Sequence, residues 1–440
     1  MRIVFPAPGL SSLQSSLLDR RDVETCAIAF ANSVGDRLLV AAINFPPEAA
    51  YLTRTQTSAV IRSEYLFDLV GRAKREGYSL LFIHSHPFDL AVPEFSHVDD
   101  LGEARLSSYL TDRLGDRQHA AIVVSPGGLA ARQLGVGERA VVSEVGRVTG
   151  ILNWAEGPEV GEKFDRQIRA FGHDGQSKIA ALKVGIVGAG GTGSITGQQL
   201  AHLGVADFTI IDFDTIEKTN LNRLVGSTPN DVGQSKISIA RRTLLAAQPD
   251  ARVETICGDV ADDAVAEALK RCDFIFCCTD SHASRAIVGQ LAYQYLIPTI
   301  DMGVSLSVRG GQLTHITGRI QLLAPGLPCL TCMELLDSEQ IRRELLAPAA
   351  RAADPYIVGN QEPQPSVVSI NGTVASLAVT MFIGVVTGAP VEARLQIYDG
   401  VNGTLRLMAG KHDADCYVCS HTGALARGDS WPLPTRGRKQ

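Results

Sequence analysis

A strand-like run from Leu182 to Val187 ends in Gly188-x-Gly190-Gly191-x-Gly193 and passes directly into a helix-forming stretch, Ser194 to Leu203. Few local patterns restrict a fold as strongly. The glycines permit a tight turn and close backbone approach, and the helix that starts there turns its amide-rich N-terminus toward whatever the turn holds, which favours phosphate. Strand Phe208-Thr-Ile-Ile211 then delivers Asp212, near the ~20-residue offset at which an acidic residue grips a ribose hydroxyl. Strand and helix patterns alternate from Arg166 to about Met408, which predicts a largely parallel, doubly wound sheet. Taken alone, the turn and Asp212 suit a nicotinamide dehydrogenase equally well.

The stretches that follow separate these readings. Ile211-Asp-Phe-Asp-Thr-Ile-Glu-Lys-Thr-Asn-Leu-Asn-Arg223, Val232-Gly-Gln-Ser-Lys236 and Cys278-Thr-Asp280 resemble the ThiF/MoeB/ubiquitin-activating family, and the resemblance runs from Phe164 to the C-terminal region, about two thirds of the chain. It implies a Rossmann-like ThiF domain that uses ATP and magnesium to adenylate the C-terminal carboxylate of a ubiquitin-like protein. By the same resemblance, Gly188, Gly190, Gly191 and Gly193 form the nucleotide turn. Asp212, with Asp214 beside it, holds the ribose; Asn220, Arg223 and Lys236 hold the phosphates; Asp280 holds the magnesium. Arg166, in Phe164-Asp-Arg-Gln167, matches the family's arginine that reaches the ATP of a neighbouring subunit, which implies a homodimer. The chemistry agrees, because attack of a carboxylate on an α-phosphate brings anions together and cations must neutralise them. Any one of these charges alone would suit a solvated surface.

A second constellation precedes this domain. His84-Ser-His86-Pro87 closes an apolar, strand-like run from Tyr78 to Ile83, and Ser96-x-x-Asp99 follows it. Residues i and i+2 of a strand share a face, so both imidazoles can meet one ion with Asp99 as the third ligand. Three protein ligands leave a fourth tetrahedral position for water, as in a catalytic zinc site. Glu24, opening the strand-like Glu24-Thr-Cys-Ala-Ile-Ala-Phe30, is the candidate proton acceptor, and Ser96 the candidate donor to an oxyanion. The ordinary alternative is a His-Pro turn followed by a helix that Ser96 caps. The four elements in order resemble the JAMM (MPN/JAB) metalloprotease family. That resemblance implies a cytidine-deaminase-like α/β domain that cleaves peptide or isopeptide bonds at the C-terminus of ubiquitin-like proteins.

Nine cysteines supply the third signal. Cys329-x-x-Cys332 and Cys416-x-x-Cys419 have the spacing of a four-thiolate zinc site, closed to water and therefore structural; redox chemistry is the competing use of such pairs. The ThiF/MoeB resemblance places its zinc cysteines at these positions. Cys26, Cys257, Cys272, Cys277 and Cys278 lie in or beside apolar runs and are expected to be small buried hydrophobes. No cysteine occurs between Met333 and Asn371, where thioester-forming activating enzymes carry their acceptor, so the chain departs from that pattern toward the MoeB one.

With 45% hydrophobic and 20% charged residues, the chain can fill two cores. A formal net charge of -6 and the lack of a Lys/Arg run argue against nucleic acid. Met1-Arg-Ile-Val-Phe-Pro lacks the apolar core of a signal peptide, and Val374 to Val386, the longest apolar candidate, is interrupted by Ser376, Thr380 and Gly384. A cytoplasmic protein without a membrane span is the expectation.

The organisation read from these signals is a metalloprotease-like domain over residues 1–148, a turn-rich linker over 149–163, an adenylation domain over 164–425 and a loose tail over 426–440, its Pro and basic residues beginning at Ser420. The stretch from Ser58 to Arg75 reads as an amphipathic helix, and Ala347 to Pro365 as a crossover segment over the adenylation site. The expected function is bifunctional, within a bacterial-type ubiquitin-like or sulfur-carrier pathway. One half adenylates the small protein's terminal glycine and the other cuts at that terminus, with a conjugating enzyme or a sulfur donor as the next partner. Fusion suits two sites that share one flexible tail. The alternatives are a metalloprotease-like half that only binds, and a biosynthetic enzyme that adenylates a peptide.

Overall fold

The computed structural model describes residues 1–151, 158, 160–346 and 365–437. The chain separates into two compact units. One contains Met1–Ala155, Gln294–Leu296 and His421–Pro432, the other Glu156–Tyr293, Ile297–Ser420 and Leu433–Gln440.

In the first unit the elements run β1 (Arg2–Pro6), α1 (Gly9–Leu18), β2 (Cys26–Val34), β3 (Arg37–Asn44), β4 (Tyr51–Arg54), β5 (Ala59–Ile61), α2 (Ser63–Glu76), β6 (Ser79–Ser85), α3 (His97–Leu114), β7 (Ala120–Ser125), β8 (Gly128–Gln133), β9 (Val141–Val145) and β10 (Gly150–Ile151). Eight of these strands form a mixed sheet in the order β10-β9-β1-β3-β2-β6-β7-β8, and β4 pairs with β5 as a separate hairpin. Alternation along β2 sets the layers. Ala27, Ala29 and Ala31 pack toward Leu10, Leu13 and Leu17 of α1, while Ile28 and Phe30 pack toward Leu69, Val70 and Ala73 of α2 and Leu110 and Leu114 of α3. Each fully buried Leu, Ile, Val or Phe side chain of this set contributes roughly 1.5–3 kcal/mol of transfer free energy.

Helix α2 starts at Ser63, later than the stretch from Ser58 suggests, because Ala59–Ile61 is taken up by pairing with Tyr51–Arg54. It ends where Gly77 adopts a left-handed φ of 81° and returns its N–H to Ala73 O.

The second unit runs α4 (Asp165–Ala181), β11 (Lys183–Val187), α5 (Gly191–Leu203), β12 (Asp207–Ile211), α6 (Lys236–Ala247), β13 (Arg252–Ile256), α7 (Asp263–Glu267), β14 (Phe274–Cys277), α8 (His282–Gln294), β15 (Thr299–Arg309), β16 (Gln312–Leu323), α9 (Ser338–Leu345), α10 (Val368–Thr387), β17 (Leu395–Asp399) and β18 (Thr404–Leu407). Its eight-stranded sheet has the order β13-β12-β11-β14-β15-β16-β17-β18. The first five are parallel and the last three antiparallel, so the expected parallel sheet carries an antiparallel extension. Strand order reverses between β11 and β14, the switch point at whose carboxyl side such sheets bind ligands.

By length and composition one helix among the described residues, α10, suffices to cross a membrane. It is longer than its apolar run from Val374, and the hydroxyls of Thr373 and Thr380 donate back to the carbonyls of Ser369 and Ser376. Its apolar side is core: Val374, Ala375, Ala378, Met381, Phe382 and Val385 are buried.

The tail expected to be loose from Ser420 is packed. Ala424, Leu425 and Ala426 are buried, Asn32 donates to Ala426 O at 2.8 Å and Tyr295 to Asp429 Oδ1 at 2.8 Å in the first unit. Further on, Arg436 pairs with Asp259 and Asp262 in the second. Three small apolar residues and a set of ion pairs hold a segment whose prolines and basic residues alone read as irregular. Residues 347–364 of the crossover segment read over Ala347 to Pro365, and residues 152–157 and 159 of the linker read over 149–163, lie outside the described residues.

Candidate functional sites

The glycine turn leaves β11 at the switch point. Gly188 has φ +94°, and a Cβ there would lie 2.8 Å from Cys278 O, across from the end of β14. A Cβ on Gly193 would overlap Gly188 O and one on Gly191 would overlap the Asn371 amide, so only glycine permits this close turn. Gly190 stands at the N-cap of α5 with open space around its Cα. Asp212, just past β12, accepts from Ala189 N at 2.7 Å and from Asp214 N at 2.8 Å. Its carboxylate thus fixes the turn while lone pairs remain for a ligand. Burial raises its pKa.

Cations gather on the same edge. Lys236 opens α6 and its Nζ lies 2.5 Å from Asp214 Oδ2. Arg223 donates to Thr219 O at 2.7 Å, and its Cδ lies 3.7 Å from where a Gly191 Cβ would stand. Asn220 closes a short turn by accepting from Glu217 N. Asp280 is exposed just beyond β14. Arg166 stands apart on the first turn of α4, exposed, with no contact among the described residues that ties it to the glycine turn.

Two residues of this edge were not singled out from sequence. Asn371, buried in α10, packs on Gly191 and donates to Ser366 Oγ. Arg285 donates from Nε to Thr279 O at 3.1 Å and from its terminal nitrogens to Asp301 Oδ1 and Met302 O. Both lie far along the chain from the turn, and only the strand order brings them there.

A family model described as ThiF family matches residues 164–418, more than half of the chain. The chain belongs to the ThiF family. Residues 164–418 are accordingly a ThiF/MoeB-like adenylation domain. Molybdopterin-synthase adenylyltransferase of Escherichia coli (strain K12) is 28% identical over 259 residues, 58% of this chain and 95% of that relative. The SAMP-activating enzyme E1 of Haloferax volcanii is 26% identical over 266 residues, 60% of this chain and 90% of the relative. The crystal structure of E. coli MccB with MccA-N7isoASN is 20% identical, with 59% of this chain and 76% of that chain covered and a TM-score of 0.49. No JAMM or MPN family model matches the N-terminal region.

Two further groups of ligand-type atoms converge in this ThiF-family chain, each within 4.8 Å: Cys329, Cys332, Cys416 and Cys419, and His84, His86 and Asp99. Among the sulfurs, Cys329 lies 3.6 Å from Cys332 and 3.6 Å from Cys416, and Cys332 lies 3.4 Å from Cys419. Thiolates about 2.3 Å from a tetrahedral ion would be about 3.8 Å apart. Cys332 N points at Cys329 Sγ (3.4 Å), a backbone donor to that sulfur.

In the first unit, His84 is the penultimate residue of β6, and His86 follows the strand with its N–H on Val124 O. Their Nε2 atoms face one another at 3.2 Å, and His84 Nε2 lies 3.3 Å from Asp99 Oδ1. Corners about 2.0–2.1 Å from a tetrahedral ion are about 3.3 Å apart, which two of the three edges match, while the third, His86 Nε2 to Asp99 Oδ2, is wider at 4.0 Å. Burial pushes His84 down to about 4, keeping it neutral, the form that ligates. Glu24 Oε1 lies 3.9 Å from His86 Nε2. Burial, then Asp99, raises the Glu24 carboxyl to about 7. Arg54 of the β4–β5 hairpin braces it, donating to Glu24 O at 3.1 Å and to Thr25 Oγ1 at 2.7 Å.

Ser96 departs from its expected role. Its hydroxyl donates to Asp99 Oδ2 at 2.8 Å and accepts from Asp99 N, a capping box at the start of α3. At the helix N-terminus the hydroxyl holds the Asp99 carboxylate. A second correction concerns cysteine: Cys26, Cys272 and Cys277 are buried and Cys278 is half-buried, but Cys257, one residue past β13, is exposed.

Proposed function

We propose that this chain is a bifunctional enzyme that adenylates the C-terminal carboxylate of a ubiquitin-like or sulfur-carrier protein and cuts peptide or isopeptide bonds at that same terminus. The observation that carries the reading is the presence in one chain of a ThiF nucleotide edge and the complete Glu24, His84, His86 and Asp99 set. ATP and Mg2+ belong to the first activity. Gly188 to Gly193 admit the nucleotide by close backbone approach; Asp212 takes the ribose; Asn220, Arg223 and Lys236 offset phosphate charge; Asp280 holds the cation. The small protein's carboxylate forms a bond to the α-phosphorus as the bond to pyrophosphate breaks, and the cations stabilise the charge that builds there.

For the second activity, His84, His86 and Asp99 would hold Zn2+, which supplies Lewis acidity toward a water and a peptide carbonyl. Glu24, raised toward neutrality, takes a proton from that water and delivers it to the leaving amine. Ser96 holds Asp99 in place. The cysteine set would hold a structural Zn2+. Arg166, free on α4, serves the nucleotide of a partner copy in a homodimer. A half that only binds would have no use for a poised Glu24 beside the His pair.

The test is ATP–pyrophosphate exchange by the full chain with candidate small proteins ending in glycine, alongside cleavage of the same proteins bearing a C-terminal extension. Exchange and cleavage with one small protein support the reading; exchange with short peptides alone would favour a peptide-adenylating enzyme. Mixed Arg166→Ala and Asp280→Ala chains are expected to recover exchange, and failure to recover would place Arg166 outside the partner's site.

A further inference from the structure

Helix α9 has an amphipathic sequence, Ser338-Glu-Gln-Ile-Arg-Arg-Glu-Leu345, yet none of its residues is buried. Its apolar residues Ile341 and Leu345 are only half-buried, so hydrophobic packing seats it in part. Polar contacts to the start of α8 do the rest. Glu344 Oε2 accepts from Ser281 Oγ at 2.6 Å and from Ala283 N at 2.7 Å, and Asp337 N donates to His282 Nδ1 at 3.0 Å. A carboxylate on helix amides is a charge-assisted bond that the positive end of the helix strengthens. Glu344 thus caps α8 from 61 residues away.

What it caps is the turn that presents Asp280. Besides the backbone bond of Arg285 N to Ser281 O at 3.1 Å, side chains hold that turn through Ser281 N on Thr279 Oγ1 at 3.2 Å, Ser284 N on Ser281 Oγ at 3.1 Å, and the Arg285 guanidinium on Thr279 O. Glu344 accepts the hydrogen bond of the Ser281 hydroxyl and so turns a lone pair of that oxygen toward Ser284 N. Without the carboxylate, Ala283 N loses its partner and the Ser281 hydroxyl loses its orientation, and Asp280, itself exposed, has no packing of its own to hold it.

We propose that Glu344 is a positioning residue for the cation of the adenylation site: seated on α8, it fixes the turn from which Asp280 meets Mg2+. The inference rests on the reading of Asp280 as the magnesium ligand. Its test uses the full chain and isothermal titration with ATP, once with Mg2+ and once with EDTA, and reads the ratio of the two affinities. Glu344→Ala is expected to lower the Mg2+-dependent affinity about tenfold, the loss of one charge-assisted hydrogen bond, with metal-free binding nearly unchanged. Glu344→Gln keeps an oxygen that accepts both bonds and is expected to retain most of the metal effect. Asp280→Ala is the control and is expected to abolish it. If Asp280→Ala loses the effect and Glu344→Ala does not, the role of Glu344 is overturned and the reading of Asp280 stands. If neither loses it, both fall. If Gln is as damaging as Ala, Glu344 acts on the cation directly and not by positioning.

Discussion

The thiolate cluster of the second unit and the His/Asp cluster of the first are built from similar inter-ligand distances but different surroundings. In the first of these, three of four cysteines are buried and every corner is a sulfur. In the other, three half-buried ligands stand beside a fourth group, Glu24, 3.9 Å from His86 Nε2 and outside the set whose ligand atoms all lie within 4.8 Å of one another. A closed set can only staple chain to chain, whereas an open set with a raised carboxyl beside it has the parts for proton transfer. The difference lies in what occupies the fourth direction.

Breaking the closed set should have the largest effect. Cys329→Ser is expected to lose one equivalent of bound metal and to destabilise the second unit by more than about 3 kcal/mol, because the four sulfurs tie together segments 87 residues apart. His84→Ala should lose the other equivalent with less than about 1 kcal/mol of effect in urea unfolding. Equal destabilisation by the two would erase the distinction between staple and site. Next comes Glu24→Gln. Metal content should be unchanged, while cleavage of a ubiquitin-like protein with a C-terminal extension falls by about 10²–10⁴-fold, the usual worth of a positioned acid–base group. Undiminished cleavage would remove Glu24 from the chemistry.

How legible these sites were in the sequence follows from how local they are. The glycine turn, Asp212 and the cysteine pairs are fixed by spacing, and the structure gathers them as the spacing suggested. Ser96 had two local uses, cap and oxyanion donor, and the capping box took it. Arg54 reaches Glu24 across 30 residues, Glu344 reaches Ala283 across 61, and Asn371 meets Gly191 from a distant helix, through tertiary packing that no spacing encodes; Arg285 reaches Asp301 across 16. The tail was misread for a similar reason: Ala424 to Ala426 look featureless until a surface is there to cover them. Cys257 sits one residue beyond its strand, where the apolar run ends and exposure begins.

A histidine outside both clusters sharpens the comparison by pH. His119 is buried, accepts from Leu80 N at 3.0 Å, and is pushed by burial from 6.5 down to about 4. Above pH 6.5 both folded and unfolded chains hold it neutral and it contributes nothing. As pH falls from 6.5 toward 4 only the unfolded chain takes the proton, so stability is lost across that window. Between pH 7 and pH 5 this amounts to about 1–2 kcal/mol. His119→Asn, whose side-chain oxygen still accepts from Leu80 N, should flatten the urea midpoint against pH by that amount, with metal content unaffected. An unchanged slope would assign the acid loss elsewhere.

The smallest effect is expected where the cysteines are left over. Four sulfurs face one another in the cluster, and none of the remaining five lies between Met333 and Asn371. A thiol that captures an adenylate must be exposed and readily ionised. Burial, then Asp301, pushes the half-buried Cys278 up to about 12, and Cys26, Cys272 and Cys277 are buried. Cys257 alone among the described residues is an exposed cysteine, at the end of β13, whose Ile256 O accepts from the backbone of Asp212. Among the described residues no base or cation is bonded to its thiol. The expectation is therefore that the chain releases pyrophosphate with its small protein and forms no thiol-sensitive adduct on a gel run with and without reductant. Cys278→Ser and Cys257→Ser should each leave pyrophosphate exchange within about twofold, the ordinary consequence of a substitution outside the reacting groups. A reducible adduct that disappears with Cys257→Ser would turn this exposed cysteine into the acceptor and make the enzyme a thioester former. An external thiol would then no longer be needed to take the adenylate.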